Sequence, residues 1–394
     1  MKTGYSMAAH WTGGFDESGL ARWAEDLRGQ LNGPVSLGLV FTTPQFFPHA
    51  ETLLEILRVH GRIPVLTGCS SQSLIVGGQE VEEAAGLTLG LYSLPGAEFE
   101  ACHFTQRQVE EANGPGYWHL ETNVDAEQTR GWLTFLDPFH MDLEGWLRSW
   151  NEAYAPAPVV GGLASGELQA QQTQVYLNGE VFEEGGVAVS VSGAVKLVGV
   201  ISQGCTPIGD TWTLTRVERN LIQQIANRPA YQVLADTVEN LSPEERRRAR
   251  GNLFIGLAIN EYREEFRRGD FLVRNLLDVD PQSGVLAVGA LPRPGQTIQF
   301  QRRDASAAQE DMETLFRRVR EELAGATIYG GCLCTCNGRG KQLFDQPHHD
   351  AQMVQQYFGP LGLTGFFGHG EIGPVGGSSF LHGYTASLAL FVQA

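Results

Sequence analysis

The chain has 394 residues, a formal net charge of −17 and 42% hydrophobic residues. This length suggests two domains with cores of their own, and the acidic balance argues against nucleic-acid or anionic-membrane partners, which need a basic face. Neither a membrane-spanning apolar run nor a secretory signal within Met1–Gly14 is visible. A chain of this size does not need disulfides, so its six cysteines favour a reduced, cytoplasmic protein.

The first predicted unit consists of a strand, a helix, an apolar block and a second strand. The strand covers 35–41, and the helix covers 51–60 with four apolar residues. The block Ile63–Ser71 ends in glycine and small hydroxyl residues, and the closing strand covers 86–92. Ligands of α/β sheets bind beyond the carboxyl ends of strands, so the end of this block is a candidate binding loop.

The same order of elements is predicted twice more, which indicates internal pseudo-symmetry. The second copy has its strand, helix, block and strand over 132–136, 142–154, 157–165 and 186–191. The third copy has them over 326–334, 350–358, 361–371 and 386–392. The first two blocks align with Gly68 matched to Gly162. Strands joined through a helix favour parallel pairing, whereas the closing strands can pair antiparallel.

A different region separates the second and third copies. The domain boundary is predicted over 210–240, with a strand over 211–217 and a helix near Leu221–Ile225. Ser242 and the Pro and acids after it predict a helix start. Further strands are predicted over 253–258, 269–275, 284–290 and 298–302, and a helix over 305–323. The expected fold class is α/β, with mixed sheets and helices packed outside, built from pseudo-repeated strand–helix–strand–strand units.

Six segments together resemble the FIST family, a ligand-sensing module of F-box and bacterial signal-transduction proteins. They are Pro64–Ser71, Val160–Ser165, Ser202–Gly209, Gly269–Asn275, Cys336–Gly340 and Gly365–Pro374. The resemblance implies a FIST N-terminal domain over 1–220 and a FIST C-terminal domain over 221–394. It also implies a sensory protein that binds an amino acid or related metabolite. No F-box precedes the match and no signalling module follows it, so we expect output through a separate partner protein.

Arg339 and Glu371 are the leading candidate ligand contacts. Arg339, between two glycines, offers a planar fork for a carboxylate or phosphate, or it pairs with a structural acid such as Glu371 or Asp345. Glu371, in a predicted glycine-rich loop, would accept an amino group of the ligand, or it caps that loop. His369 adds a donor or an acceptor nearby.

Five further residues belong to the predicted ligand-binding set. Arg274 and Asn275 end a predicted strand, where Arg274 either reaches the cleft or bridges the domains. Ser70, Ser71 and Ser165 end the repeated blocks, and their hydroxyls either bond the ligand or cap the following turns.

Two other functions stay open as alternatives to a ligand sensor. Cys336, also a ligand-contact candidate, would serve a Cys-dependent enzyme if His369 or His382 acted as its base. A ligand-free interaction scaffold, related to F-box FIST proteins, is the other alternative. We expect no catalysis and no cofactor.

We also expect no metal site. Three cysteines alternate over Cys332–Cys336, and alternate residues of a strand lie about 6.5–7 Å apart, too far to share one zinc ion. A second acidic and histidine cluster, Asp345–Asp350, falls where a helix is predicted to start.

Overall fold

The structure is a computed structural model that describes residues 4–167, 169–263 and 265–394. It has the mixed α/β fold that the sequence predicts. The strands are, in chain order, β1 (Ser6–Trp11), β2 (Leu37–Thr42), β3 (Leu66–Ser70), β4 (Leu74–Val76), β5 (Gln79–Val81), β6 (Leu87–Tyr92), β7 (Ala97–Phe104), β8 (Trp132–Leu136), β9 (Val159–Leu163), β10 (Val175–Leu177), β11 (Glu180–Phe182), β12 (Gly186–Gly193), β13 (Val195–Ser202), β14 (Cys205–Glu218), β15 (Leu221–Ile225), β16 (Arg228–Pro229), β17 (Leu253–Ala258), β18 (Phe271–Asp280), β19 (Val285–Val288), β20 (Thr297–Arg303), β21 (Ile328–Cys336), β22 (Leu363–Gly368), β23 (Gly370–Val375), β24 (Ser378–His382) and β25 (Ala386–Gln393).

The structure also contains helices, several of them amphipathic. They are α1 (Glu17–Gln30), α2 (Ala50–Gly61), α3 (Gln106–Glu111), α4 (Pro115–Thr122), α5 (Leu143–Tyr154), α6 (Ala230–Glu239), α7 (Pro243–Ala249), α8 (Ala305–Glu322), α9 (Lys341–Phe344) and α10 (His349–Phe358), with a 3-10 helix over Pro44–His49. Trp146 and Trp150 of α5 lie one turn apart and are fully buried. The predicted start of α7 is confirmed, since the hydroxyl of Ser242 accepts a hydrogen bond from Glu245 N.

Three six-stranded sheets share one order of strand types. Each contains a parallel pair joined through a helix, namely β2 with β3, β8 with β9, and β21 with β22. An antiparallel closing strand lies on one side of each pair, namely β6, β12 and β25. A two-stranded hairpin lies on the other side. The pairing directions are those that the sequence predicts, while the pseudo-symmetry of the sequence itself stays a prediction.

The hairpins belong to a different sheet from the strand that precedes them. Hairpin β4–β5 follows β3 but pairs with β22, and hairpin β10–β11 follows β9 but pairs with β3. Hairpin β23–β24 follows β22 but pairs with β9. Each sheet is therefore completed by a segment from another sheet's part of the chain.

The core lies where the three sheets meet. Phe41, Phe135 and Phe366 come from β2, β8 and β22, and their ring centroids lie 4.9–5.8 Å apart. All three rings are fully buried. The contacts between them join the three sheets through one apolar centre.

One glycine in each parallel pair occupies a position that no side chain fits. A Cβ added to Gly68, Gly161 or Gly365 would overlap a carbonyl oxygen of the neighbouring parallel strand. Gly68 and Gly161 also have positive φ angles of 157° and 151°. These positions correspond in the three sheets, so Gly68 matches Gly161 and not Gly162, one residue from the alignment of the sequence blocks.

The chain forms two compact units. The first comprises the chain up to Ile201 and again from Thr314, and it contains the three six-stranded sheets. The second, Ser202–Glu313, contains a seven-stranded sheet in the order β14, β20, β17, β18, β19, β15 and β16. The division of the family halves at 220/221 stays a prediction.

The predicted helix near Leu221–Ile225 is wrong, because these residues form β15, antiparallel to β14. Arg219, with a φ of 54°, helps to turn the chain back at this hairpin. Ile222 and Ile225 are fully buried in the core of the seven-stranded sheet. A run of five residues is too short for its spacing to distinguish a strand from a helix, so burial against the sheet decides.

Candidate functional site

The carboxyl ends of the three parallel strand pairs meet in the first unit. Backbone hydrogen bonds join the residues that follow β9, β21 and β22. Ala164 N donates to Leu136 O at 2.8 Å, His369 N to Leu163 O at 3.2 Å, and Asn337 N to Gly368 O at 3.0 Å. We call Ser71, Asp137, Ser165, Asn337 and His369, which follow the strand ends, the strand-end site. Such an edge is where α/β sheets bind ligands.

The three predicted serines lie at this edge and join its loops. Ser70 Oγ donates to Ser165 O at 2.9 Å and accepts from Gln174 N at 2.9 Å. Ser165 Oγ donates to Phe367 O at 2.5 Å, and Ser71 Oγ donates to the same oxygen at 3.0 Å. All three side chains are fully buried. Only Ser71 also bonds within the turn that follows it, to Ser73, as the capping alternative predicts, whereas Ser70 and Ser165 bond to distant segments.

Arg339 lies close to this edge in sequence but is turned into the interior. Its Nε donates to Asp350 Oδ2 at 2.6 Å and its Nη2 to Asp350 Oδ1 at 2.9 Å, and both side chains are 0% exposed. The structural acid is therefore Asp350, not the Glu371 or Asp345 that we predicted. Burial lowers the pKa of Arg339, but the charges of Asp350 and Glu371 outweigh it and leave the pKa above its ordinary value.

Asp350 stands at the centre of a buried polar cluster. It also accepts from Thr335 Oγ1 at 3.2 Å and from His349 Nδ1 at 2.9 Å. Burial raises the pKa of Asp350, but Arg339 and His349 outweigh it and hold the pKa well below its ordinary value. Asp350 is therefore ionised and fixes Arg339 between β21 and the start of α10.

Glu80 lies beside the same cluster. It belongs to hairpin β4–β5, which pairs with β22 and not with β3, the strand before it. Glu80 Oε1 accepts from Ala351 N at 3.0 Å, in the first turn of α10, and the side chain is 3% exposed. Burial and the charge of Asp350 raise the pKa of Glu80 to about 7. Two buried carboxylates, Glu80 and Asp350, thus lie near each other, and only Asp350 is paired with the guanidinium of Arg339.

Glu371 is not in a loop, which corrects the prediction. It lies within β23, paired with Gly162 and His382 on its two sides. Its Oε2 accepts from Thr385 N at 3.1 Å and from Thr385 Oγ1 at 2.7 Å. The side chain is fully buried, because the glycine-rich run that suggests a loop forms a strand between β9 and β24. The pairing of a ligand amine with Glu371 and of its carboxylate with Arg339 is therefore not supported by accessible groups.

Cys336, Asn337 and His369 lie together at the ends of β21 and β22. Cys336 is opposite Gly368 in the parallel register, so Asn337 and His369 follow at the same step. All three residues are half-buried. Asn337 Nδ2 and His369 Nε2 are shielded from solvent and have no hydrogen-bond partner among the residues that the structure describes. Burial lowers the pKa of His369, which keeps the imidazole neutral.

Sequence reasoning did not assign functional roles to the Asp137–His140 pair at this edge. Asp137 directly follows β8, and its Oδ2 accepts from both His140 N and His140 Nδ1 at 2.8 Å. Their position in the sequence could have indicated a site, because both residues follow the end of the predicted strand over 132–136. Asn337 lies in the segment Cys336–Gly340, but Arg339 of the same segment was chosen as the ligand contact because of its guanidinium group.

Arg274 and Asn275 lie in the second unit, in β18. They pair with Ile255 and Phe254 of β17, in the middle of the strand and not at its end. Consecutive residues of a strand point to opposite faces of the sheet, so the two side chains do not serve one site. The prediction that they end a strand is wrong, because β18 continues to Asp280.

Within the described ranges, no group of three or more His, Cys, Asp or Glu side chains is placed to hold a metal ion. The same part of the chain has no helix with the length and apolarity that crossing a membrane requires.

The fold and the strand-end site define an α/β protein with a polar edge suited to a small ligand. A FIST N domain model matches residues 36–228 and a FIST C domain model matches residues 230–374. The chain therefore belongs to the FIST family, whose domains are associated with small-ligand sensing and suggest a non-enzymatic role.

Two relatives and one solved structure are similar to the chain. An uncharacterized protein of Mycobacterium tuberculosis is 34% identical over 369 residues, 94% of each chain. An uncharacterized protein of Mycobacterium bovis is 36% identical over 330 residues, 84% of this chain and 83% of the relative. A solved cyanuric acid hydrolase covers 99% of this chain and 100% of its own, with 8% identity and a TM-score of 0.31. That likeness carries no argument about activity.

Proposed function

We propose that this chain is a cytoplasmic sensory protein that binds an amino acid or a related small polar metabolite at the strand-end site and signals through a separate partner protein. The observation that carries the proposal is the pair Asn337 Nδ2 and His369 Nε2, which lie at adjacent strand ends without a partner among the described residues. A buried polar atom left unpaired costs about 1–3 kcal/mol. A ligand that pairs with both atoms would recover that cost.

Ligand binding would require a side-chain rotation at both residues. Asn337 and His369 are half-buried, whereas Asn337 Nδ2 and His369 Nε2 are shielded, so each polar atom would have to turn towards the surface to meet a ligand. The neutral imidazole offers one donor and one acceptor, and the amide nitrogen offers two donors. Such a set suits a small molecule with several polar groups, as amino acids and their relatives have.

The buried ion pair would transmit binding to the rest of the unit. Arg339 N donates to Cys336 O at 2.8 Å, and the Arg339 side chain is held by Asp350 at the start of α10. A shift of Asn337, between these two residues, would therefore displace the connection to α10. Such a displacement would move α10. A partner that binds more tightly to one position of α10 than to the other would then respond to the ligand.

The cytoplasmic assignment is supported by the cysteines. All six are free thiols, and four of them are buried in the strands that form the sheets. Thiols persist in reducing compartments. The net charge of −17 supports a partner other than nucleic acid or an anionic membrane.

A thermal-shift screen of the purified chain tests the proposal. The probes are the common amino acids and their 2-oxo acids, each against wild type, Asn337→Ala and the control Asn32→Ala, which changes an exposed asparagine of the same unit. A ligand at 100 times its dissociation constant stabilises the fold by about 2.7 kcal/mol. We expect at least one probe to raise the midpoint of wild type and of Asn32→Ala but not that of Asn337→Ala.

Two results would contradict the proposal. If wild type unfolds cooperatively and no probe moves its midpoint, the ligand-free scaffold is favoured. If a probe stabilises Asn337→Ala and wild type equally, the ligand binds elsewhere and the strand-end site is wrong.

A further inference from the structure

We infer that the partner protein docks through an extended, basic segment that pairs with the free edge of β7. The cleft beside this strand, which we call the acidic cleft, is lined by Glu98 and Glu100 of β7, by Ser190 and Ser192 of β12, and by α4 and the loop after it. From the proposed function the inference takes only the existence of a separate partner protein. It requires no ligand at the strand-end site.

Strand β7 is paired on one side only. It lies at the end of its six-stranded sheet, and its eight residues, Ala97–Phe104, are all opposite residues of β12. Among the described residues, no strand pairs with its other edge. The backbone N–H and C=O groups along such an edge can pair with an extended segment of another chain, which then becomes a further strand of the sheet.

The floor of the acidic cleft is one face of β7 and β12. Glu98 lies opposite Ser192, and Glu100 lies opposite Ser190, in the antiparallel register. Alternate residues of a strand point to the same face of a sheet, so the four side chains share one face. All four line the cleft, whose volume is about 670 Å³, and both glutamates are exposed. A strand added to β7 would bring every second side chain beside these carboxylates.

The wall of the cleft adds a third carboxylate and an exposed apolar side chain. Asp125 belongs to this wall, and the described residues that line the cleft include no lysine or arginine. Leu120 of α4 also lines it and is 85% exposed, the highest value for a large aliphatic side chain in the part of the chain that the structure describes. The aliphatic stem of a lysine or arginine would cover Leu120 while its charge meets a carboxylate.

Charge decides which class of segment fits this edge. The first unit, which contains the acidic cleft, holds most of the chain's net charge of −17. A second copy that added its own β7 would bring more glutamates to the same face, and like charges on neighbouring strands are destabilising. A basic segment is attracted to the first unit and finds a carboxylate at alternate positions of β7.

Fluorescence polarisation with short labelled peptides tests the inference, with no ligand added. The probe is an octapeptide of alternating lysine and valine, which places its lysines on one face when extended. One control peptide has the same composition with its four lysines in one block. The other has the alternating sequence with every peptide nitrogen methylated, which removes the backbone donors. We expect wild type to bind the probe at least about tenfold more tightly than either control.

A double variant removes the charges of the floor without changing the size of the side chains. Glu98→Gln/Glu100→Gln should weaken binding of the alternating peptide about 3- to 30-fold. The control Glu51→Gln/Glu55→Gln makes the same change of charge on α2 of the same unit and should bind as wild type does. All four glutamates are exposed, so both variants should fold, and a thermal melt of each checks this.

Hydrogen exchange locates the bound peptide on the chain. The alternating peptide should slow exchange of the β7 amides and leave those of β1 unchanged. The comparison is matched, because β1 is also an edge strand of a six-stranded sheet. Protection of β7 that disappears with the methylated peptide would show that the backbone pairs.

The results that support and those that overturn the inference are distinct. Preferential binding of the alternating peptide, reduced in Glu98→Gln/Glu100→Gln and accompanied by protection of β7, supports it. Absence of binding, or equal binding of the three peptides, overturns it. So does a wild-type dimer, seen by sedimentation, that itself protects β7, since the edge then belongs to a second copy.

A small cation is the remaining competitor for the acidic cleft, and spermidine is its probe. If spermidine binds as tightly as the alternating peptide, with the same loss in Glu98→Gln/Glu100→Gln, the cleft takes a small amine and the inference is overturned. None of these outcomes bears on the strand-end site, which the thermal-shift screen tests separately.

Discussion

Arg339 and Asp350 form a two-point ion pair that is completely shielded from solvent, with N–O distances of 2.6 and 2.9 Å. The pair joins the loop after β21 to the first turn of α10. Arg339 was the leading candidate for ligand contact in the sequence, yet its fork is occupied by a side chain of the same chain. In the proposed site, Arg339 would hold Asn337, two residues earlier, in position.

Replacing Arg339 should unfold the chain rather than only impair binding. Arg339→Ala leaves Asp350 buried without its cation, which costs about 3–5 kcal/mol of the free energy of unfolding. The measurement is the urea midpoint, with Arg318→Ala as control. Arg318 pairs with Glu322 at 3.5 Å on an exposed face of α8, so its loss should cost less than about 1 kcal/mol. An Arg339→Ala variant as stable as wild type would contradict the structural role.

Glu80 should make the chain less stable as pH rises through neutrality. Its pKa is raised in the folded state to about 7, so a folded chain holds this proton where an unfolded chain has lost it. The stabilisation is fully present below the unfolded pKa and is lost as pH rises through about 7. The negative charges of Asp350 and Glu82 add to burial in raising the pKa of Glu80, while backbone hydrogen bonds from Asp350 and Ala351 lower it.

Urea unfolding at two pH values tests this prediction. Between about pH 6 and about pH 8, wild type should lose on the order of 1 kcal/mol more stability than Glu80→Gln, which has no proton to lose. The control is Glu55→Gln, on the exposed face of α2, which should follow wild type. If Glu80→Gln and wild type change in parallel, Glu80 does not titrate in this range.

Gly68 and Gly161 should not tolerate a methyl group. A Cβ at either position meets the backbone of the neighbouring parallel strand, which cannot move without breaking the pair. Gly68→Ala or Gly161→Ala should cost about 3 kcal/mol or more. Gly29→Ala, near the end of α1 with open space around it, should instead stabilise the chain by up to about 1 kcal/mol.

The same measurement checks the close approach of the paired strands. If Gly68→Ala unfolds at the midpoint of wild type, the close approach of β2 and β3 is wrong. Thermal melts of the three variants are sufficient, since only the sign and rank of the changes are needed.

The elements of this fold could be predicted where the signal is local. The strand over 132–136 and the helix that follows it were predicted because apolar spacing along one segment reports which face that segment buries. The start of α7 was predicted because Ser242 caps its own helix. The prediction failed at Leu221–Ile225, where five residues hold too little periodicity to separate a strand from a helix.

Which residues form the site depended on contacts between segments that are far apart in the sequence. The sequence placed Ser165 and His369 at strand ends, and the structure brings those ends together. It did not show that Arg339 meets Asp350, that Glu371 lies in a strand, or that Asp137 anchors His140. Those contacts follow from the sheets, each of which takes a hairpin from another part of the chain.

The sequence by itself therefore determined the class of fold, the alternation of strands and helices, and the family. Only the tertiary structure decided which polar groups are consumed inside the protein and which remain for a ligand. The physical reason is that propensity and periodicity act between neighbours in the chain, whereas the burial and pairing of Arg339, Glu80 and His140 depend on residues that the exchanged hairpins and converging strand ends bring together.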